Sequence, residues 1–273
     1  MIEFLENFWG YREALTPIKY SFTWRHLVIF FAVMAFVIFF SMYHFRKDEG
    51  KQKVFLILAG IFMFIIEVVR LVWNQSMLKG TGGETTFWSI ANLDLFHLSL
   101  WFSIFGLFIA LAIGYKKTFA QFLLNFTFSV TCVVAIIDIL VPTFLDNSPY
   151  YIYHFSNLEY IASRALVILV SMFLGASDWL ANSIDDMWMA IIALIVVFGL
   201  GVGFYFLSGK MVDVIYITGC PWIDITGIVI DSPWHMLIVA LFFFGAQIMM
   251  YLPFDIYRKV HKKEIIDYRR QKF

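Results

Sequence analysis

Seven stretches of this chain run for roughly 20 residues or more with few charged side chains, and roughly 20 helical residues span a hydrocarbon core about 30 Å thick. They fall at Trp24–Tyr43, Val54–Trp73, Trp88–Gly114, Phe119–Val141, Leu158–Ala176, Met187–Leu207 and Pro233–Phe254. A soluble fold of 273 residues can bury a good core, but it still needs polar residues for its surface. Here 61% of residues are apolar and 15% charged, against roughly 45–50% and 25% in soluble domains, so lipid is the expected cover. The expectation is an all-α polytopic protein of the cell membrane, with about seven transmembrane helices in one bundle. Residues 24–254 form the membrane domain, 1–23 an interfacial N-terminal segment and 255–273 a basic tail.

Turn residues separate the stretches: Gly80, Gly82 and Gly83 in one loop, Pro142 with Asp146, Asn147, Ser148 and Pro149 in another. Ser232 before Pro233 reads as an N-cap followed by proline at the first helical position. Glu3, Glu6 and Glu13 interrupt what would be the basic start of a secretory signal, and no small-residue cleavage site follows. Phe4, Leu5, Phe8 and Trp9 recur at helical spacing beside Glu3, Glu6 and Arg12, which predicts a short interfacial helix before Pro17. No internal repeat or low-complexity tract is present.

Basic residues set the expected orientation, because cytoplasmic loops retain Lys and Arg. Arg46, Lys47, Lys51, Lys53, Lys116 and Lys117 fall on one side with Arg258, Lys259, Lys262, Lys263, Arg269, Arg270 and Lys272 of the tail. The other side holds Arg12, Lys19, Arg25, Lys79 and Lys210. The N-terminus is therefore expected outside and the C-terminus inside. The tail reads as an ordinary positive-inside anchor, and its charge density also suits an anionic lipid partner. Lysine plus arginine equals aspartate plus glutamate at 20 each, which gives no footprint for nucleic acid. Protein partners are not legible.

No cofactor or metal is expected from local motifs. Cys132 and Cys220 lack a CxxC or Cys/His spacing, and Asp213, Asp224 and Asp231 lack a calcium-loop spacing. Gly199, Gly201 and Gly203 lie in a hydrophobic stretch, where small residues let another helix approach. His26, His44 and His235 stand at span ends and read as interfacial rings.

Charge inside the apolar stretches is the functional signal, since each such group costs at least about 2.5–3.5 kcal/mol at mid-bilayer and asks for a partner or a cavity. Glu67 and Arg70 stand three apart on one helix face. Asp94 and His97 share that spacing, with Asn92, Ser99 and Trp101 nearby. Asn125 and Asp138 belong to the fourth stretch; His154, Asn157 and Glu159 precede or open the fifth, which then carries Arg164. A bundle can gather Glu67, Arg70, Asp94, His97 and Arg164 around one chamber in its outer half. The competing reading is a salt-bridge cluster that only sets helix register.

Leu95–Phe96–His97–Leu98–Ser99, His154–Phe155, Glu159–Tyr160–Ile161–Ala162–Ser163–Arg164–Ala165–Leu166, Pro233–Trp234 and Tyr251–Leu252–Pro253–Phe254, read in order, resemble the YwaF-type bacterial membrane proteins. These are similar to the transmembrane protein 164 acyltransferases of animals. The resemblance implies seven helices and transfer of a fatty acyl group between lipids by a cysteine nucleophile and a histidine base. The family histidine falls on His97, the two cysteine positions on Phe96 and Ser99, and the second histidine on Arg164. Arginine stays protonated and is no base, so Ser99 with His97 would carry the chemistry, although i, i+2 spacing turns them to different helix faces.

Three functions remain open at this point. The first is a lipid-active enzyme in which His97 is the acid/base, Asp94 or Glu67 orients it, Ser99 is the nucleophile, and Glu67, Arg70, Arg164, His154 and Glu159 bind substrate. The second is a binding or transport site in which the arginines recognise an anionic lipid or metabolite without covalent chemistry. The third is a structural membrane subunit whose charges satisfy one another.

Overall fold

The computed structural model describes residues 2–10, 23–43, 48–177, 179–180, 183–210, 212–220 and 234–260, and every regular element among them is helical. In chain order these are α1 (Ile2–Trp9), α2 (Trp24–Tyr43), α3 (Glu49–Thr81), α4 (Phe87–Ala91), α5 (Leu95–Ile113) and α6 (Thr118–Phe126). A π-helical turn (Thr127–Thr131) leads into α7 (Cys132–Leu140), followed by α8 (Thr143–Asn147), α9 (Phe155–Ala176), a 3-10 turn (Ile184–Asp186), α10 (Met187–Leu207) and α11 (Trp234–Val260). Among the described residues, six segments are long and apolar enough to cross a membrane: α3, α5, Thr118–Asp146, α9, Ile184–Leu207 and Trp234–Ile256. The first expected stretch is helical as α2.

α9 lies at the centre against α2, α3 and α7, and α5 packs between α3 and α6. Leu56, Phe96, Leu100, Ile104, Val167 and Phe173 belong to the continuous core. The outer faces are as apolar as the core: Leu58, Leu241 and Met249 are 60%, 62% and 71% exposed. That inversion of the soluble pattern is what helices in hydrocarbon require.

Several boundaries differ from the sequence reading, each for a local reason. α3 is 33 residues long, about 50 Å at 1.5 Å per residue. It starts early because the Asp48 carboxylate caps the amides of Gly50 and Lys51, and it ends at Gly82 in the left-handed conformation (φ 73°) that glycine adopts without strain. Trp88–Gly114 is not one helix. Asn92 (φ 40°) closes α4, and Asp94 opens α5 by accepting the His97 amide at 2.7 Å. The fourth stretch contains the π turn, whose residues are hydrogen-bonded by neighbouring side chains: Ser171 donates to the Thr127 carbonyl and Thr131 to the Ser99 carbonyl.

α9 begins at Phe155 with His154 as its cap, and α11 continues through Pro253. The Ser232–Pro233 cap and the basic residues Lys262 to Lys272 lie outside the described residues, as do Arg12, Pro17 and His44. Gly201 meets the side chain of Ile215, in the non-helical segment after α10, rather than a helix; Gly199 and Gly203 face open space. Glycines make close helix approaches at Gly106, where an added Cβ would stand 2.9 Å from Leu123 Cβ, and at Gly60, where it would stand 3.2 Å from Leu107 Cδ2. His26 is not simply interfacial: it is buried, and its Nε2 bonds the Ile139 carbonyl at 2.7 Å, tying α2 to α7.

Candidate functional site

The break before α5 builds the site. By capping α5, Asp94 stands beside the first turn, and His97 in that turn reaches α3, where the chain supplies Glu67 and Arg70 on one face. His97 Nδ1 lies 3.2 Å from Glu67 Oε2. Arg70 Nε donates to the same Oε2 at 3.0 Å, its Nη2 contacts Glu67 Oε1, and Nη2 also donates to the Ala91 carbonyl at 3.0 Å. Glu67 has no exposed surface. The imidazole stands between two carboxylates, its Nε2 lying 3.9 Å from Asp94 Oδ2.

A second ion pair crosses from α9. Arg164 Nε donates to Asp138 Oδ2 at 3.1 Å, its Nη1 to Ser163 at 3.2 Å, and its Nη2 stands 3.7 Å from Asp94 Oδ2. Its guanidinium lies between the rings of Phe96 and Tyr160, 3.8 and 3.9 Å from their centroids. The Tyr160 hydroxyl donates to the Asp138 carbonyl at 2.7 Å. Arg164 is therefore a clamp joining α5, α7 and α9, held by charge and by two cation–π faces.

Both clusters border one cavity of about 380 Å³. Arg70, Asn92, Asp94, His97, Glu159 and Arg164 line its polar side, with Trp73, Phe144, Tyr150, Phe155 and Tyr160 on the aromatic side. His97 and Arg164 thus face a shared space. Asp94 is the half-exposed member, at 48% of its side chain. Glu159 is buried, and its Oε1 has no hydrogen-bond partner among the described residues. Four carboxylates (Glu67, Asp94, Asp138, Glu159) are set against two guanidiniums (Arg70, Arg164), an excess of two carboxylates over guanidiniums.

Three of the residues read from sequence do not line this space. Glu67 has no exposed surface and is linked to it through His97. Ser99 is fully buried, its hydroxyl donates to the Phe96 carbonyl at 2.9 Å, and it does not line the cavity. His154 is a cap and a tether: Nδ1 accepts from the Ser156 amide at 3.2 Å, and Nε2 bonds the Gly10 carbonyl at 2.9 Å. Trp73 Nε1 donates to the Trp9 carbonyl at 3.2 Å, and the Trp9 ring stacks on Phe155. The N-terminal helix is thus pinned beside the cavity rim. Burial holds the His154 imidazole below the usual histidine pKa.

Four contributors had weak signals in the sequence. Asp138 stood out as a charge, but its partner, 26 residues on, is set by packing. Phe96 and Tyr160 look like any other core aromatic. Asn74, whose Nδ2 donates to the Ile90 carbonyl at 3.0 Å, lies past the expected end of its span.

No family model, curated protein or solved structure matches the chain. Fold and site together define a class: a bundle of long apolar helices enclosing a charged, aromatic-walled cavity at one end.

Proposed function

We propose that the chain is a seven-span protein of the cell membrane, N-terminus outside and C-terminus inside, whose outer-half cavity binds a lipid and transfers an acyl group from it. The topology reading is supported by the grouping of basic residues: Lys53, Lys116 and Lys117 line one hollow at the end of the bundle remote from the charged cavity. α2 supplies the seventh span.

One observation carries the functional reading. The His97 ring stands between two carboxylates on the cavity wall, Nδ1 3.2 Å from Glu67 Oε2 and Nε2 3.9 Å from Asp94 Oδ2. That is the arrangement of an oriented general base. At about 380 Å³ the cavity falls near the lower end of the range of small-ligand sites, roughly 300–1,000 Å³. It suits a head group and ester region, leaving the acyl chains to the bilayer.

Because Ser99 is occupied within its own helix, the acceptor hydroxyl itself, from a lysolipid or water, is the nucleophile. His97 Nε2 takes the hydroxyl proton as the oxygen attacks the ester carbonyl; the C–O bond to the donor alcohol breaks, and the proton passes to that alcohol. Recognition of an anionic group by the arginines is less well supported, because both guanidiniums already hold carboxylates and the site is negative overall.

The test is the purified protein in lipid nanodiscs with a labelled phospholipid donor and a lysolipid acceptor. His97→Ala should lower turnover roughly 10²–10⁴-fold, the usual worth of a positioned base, while labelled lipid still binds. Equal turnover in His97→Ala, or a stable acyl–protein adduct, would sink this mechanism.

A further inference from the structure

We infer that Glu67, His97 and Glu159 hold a divalent first-row transition cation, of the zinc or manganese type, on the cavity wall. One carboxylate oxygen from each glutamate and one ring nitrogen of His97 lie within 4.8 Å of one another, and all three residues are buried. They come from α3, α5 and α9, so helix packing brings them together, which explains why no local ligand spacing announces them.

Three independent features point to a cation rather than to a closed salt-bridge network. Glu159 Oε1 is buried with no hydrogen-bond partner among the described residues, the condition of a ligand atom without its ion. The surrounding charges, four carboxylates against two guanidiniums, leave an excess of two that one divalent cation cancels. The set is also chemically suitable: one imidazole and two carboxylates fit zinc or manganese, whereas calcium takes six to eight oxygens.

Glu67 can serve although it is already bonded. Its two oxygens offer about four lone-pair sites; Arg70 Nε and Nη2 use two, and the cation takes the place of the proton between Glu67 Oε2 and His97 Nδ1. His97 offers Nδ1, 3.2 Å from Glu67 Oε2, while its Nε2 faces Asp94 Oδ2 at 3.9 Å, the outer carboxylate that orients a metal-binding histidine. Metal–ligand bonds of 2.0–2.2 Å put tetrahedral ligand atoms about 3.4 Å apart, so the three groups must draw together on binding. Glu159, unconstrained at Oε1, is the one that moves. Three protein ligands beside a cavity leave a fourth position for a small molecule, the pattern of catalytic rather than structural sites.

This inference goes beyond the acyl-transfer reading and stands without it, and the two exclude each other at His97, since a cation-bound imidazole is not a free base. Tag-free protein, stripped with chelator and purified in detergent, is titrated with Zn²⁺ or Mn²⁺ against a chromophoric chelator, with bound metal counted by mass spectrometry. Wild type should take about one equivalent, and Glu159→Gln should bind more than about tenfold more weakly, the least expected when a ligand rather than its support is lost. Asp48→Asn, at the far cap of α3, should bind as wild type does.

Wild type with no metal above the detergent blank overturns the site. So does uptake that Glu159→Gln and His97→Ala leave unchanged, which would mark an adventitious surface ion only. Calcium binding as tightly as zinc overturns the metal class. Should the variants aggregate, the Co²⁺ form of wild type decides: a four-coordinate nitrogen–oxygen visible spectrum supports the site, and a hexa-aqua spectrum rejects it. Since metal uptake is read without lipid, its failure and a failure of lipid turnover are separate results.

Discussion

Two polar regions lie inside this apolar bundle, and they are built on opposite rules. Around the π turn the groups are neutral and matched. Ser103 and Thr131 share a hydrogen bond of 2.7 Å, Thr131 also reaches the Ser99 carbonyl, Ser171 bonds the Thr127 carbonyl, and the Tyr251 hydroxyl bonds Asn125 Oδ1. Gln247 Oε1 is the one side-chain atom of this layer without a partner among the described residues. Around the cavity the groups are charged and in surplus, with Glu159 left over beside a hollow. A matched neutral network fixes how helices meet, while a charged surplus at a cavity is kept for a ligand.

The largest effect should come from unbalancing the charged region. Arg164→Leu strands Asp138 and Asp94 and should cost about 3–5 kcal/mol, as breaking a buried pair does; thermal unfolding in detergent reads this. Adding Asp138→Asn should recover part of the loss. A loss below about 1 kcal/mol in the single variant, the scale of exposed pairs, would mean water already screens this end and would erase the contrast.

A smaller effect is expected in the neutral layer. Tyr251→Phe removes one bond to Asn125, and hydrogen bonds between membrane helices are worth about 0.6 kcal/mol on average and at most about 1.7. The same melting measurement should show a loss in that range, with lipid turnover retained. Loss of turnover with unchanged melting would move the functional region toward α11.

The smallest effect is a pH dependence confined to the cavity rim. Burial depresses the His154 pKa, and a proton on Nδ1 would oppose the Ser156 amide. The stabilisation by neutral His154 is therefore present above the ordinary histidine value of about 6.5 and is lost as pH falls through the depressed folded value. Wild-type melting should drop on that acid limb, and His154→Asn, which can still cap α9, should flatten it. A His154→Asn curve identical to wild type would assign the acid limb to other groups.

How much was legible follows residue by residue. Met187–Leu207 is the same helix in sequence and structure, because it is uniformly apolar between clear ends. Glu67 with Arg70 was legible from i, i+3 spacing. The break at Asn92–Asp94 was concealed because two short polar residues in an apolar run cap as readily as they pack, and only the backbone conformation shows which. Ser99 looked like a nucleophile by position and is instead engaged with its own helix.

The apolar runs alone determined that the chain is helical and too greasy for water, since backbone amides in hydrocarbon must be satisfied within each segment. Which of the buried charges meet was decided by tertiary packing. Asp138 finds Arg164 and Glu159 approaches His97 only once α3, α5, α7 and α9 are packed together, and sequence spacing carries no information about distances between different helices.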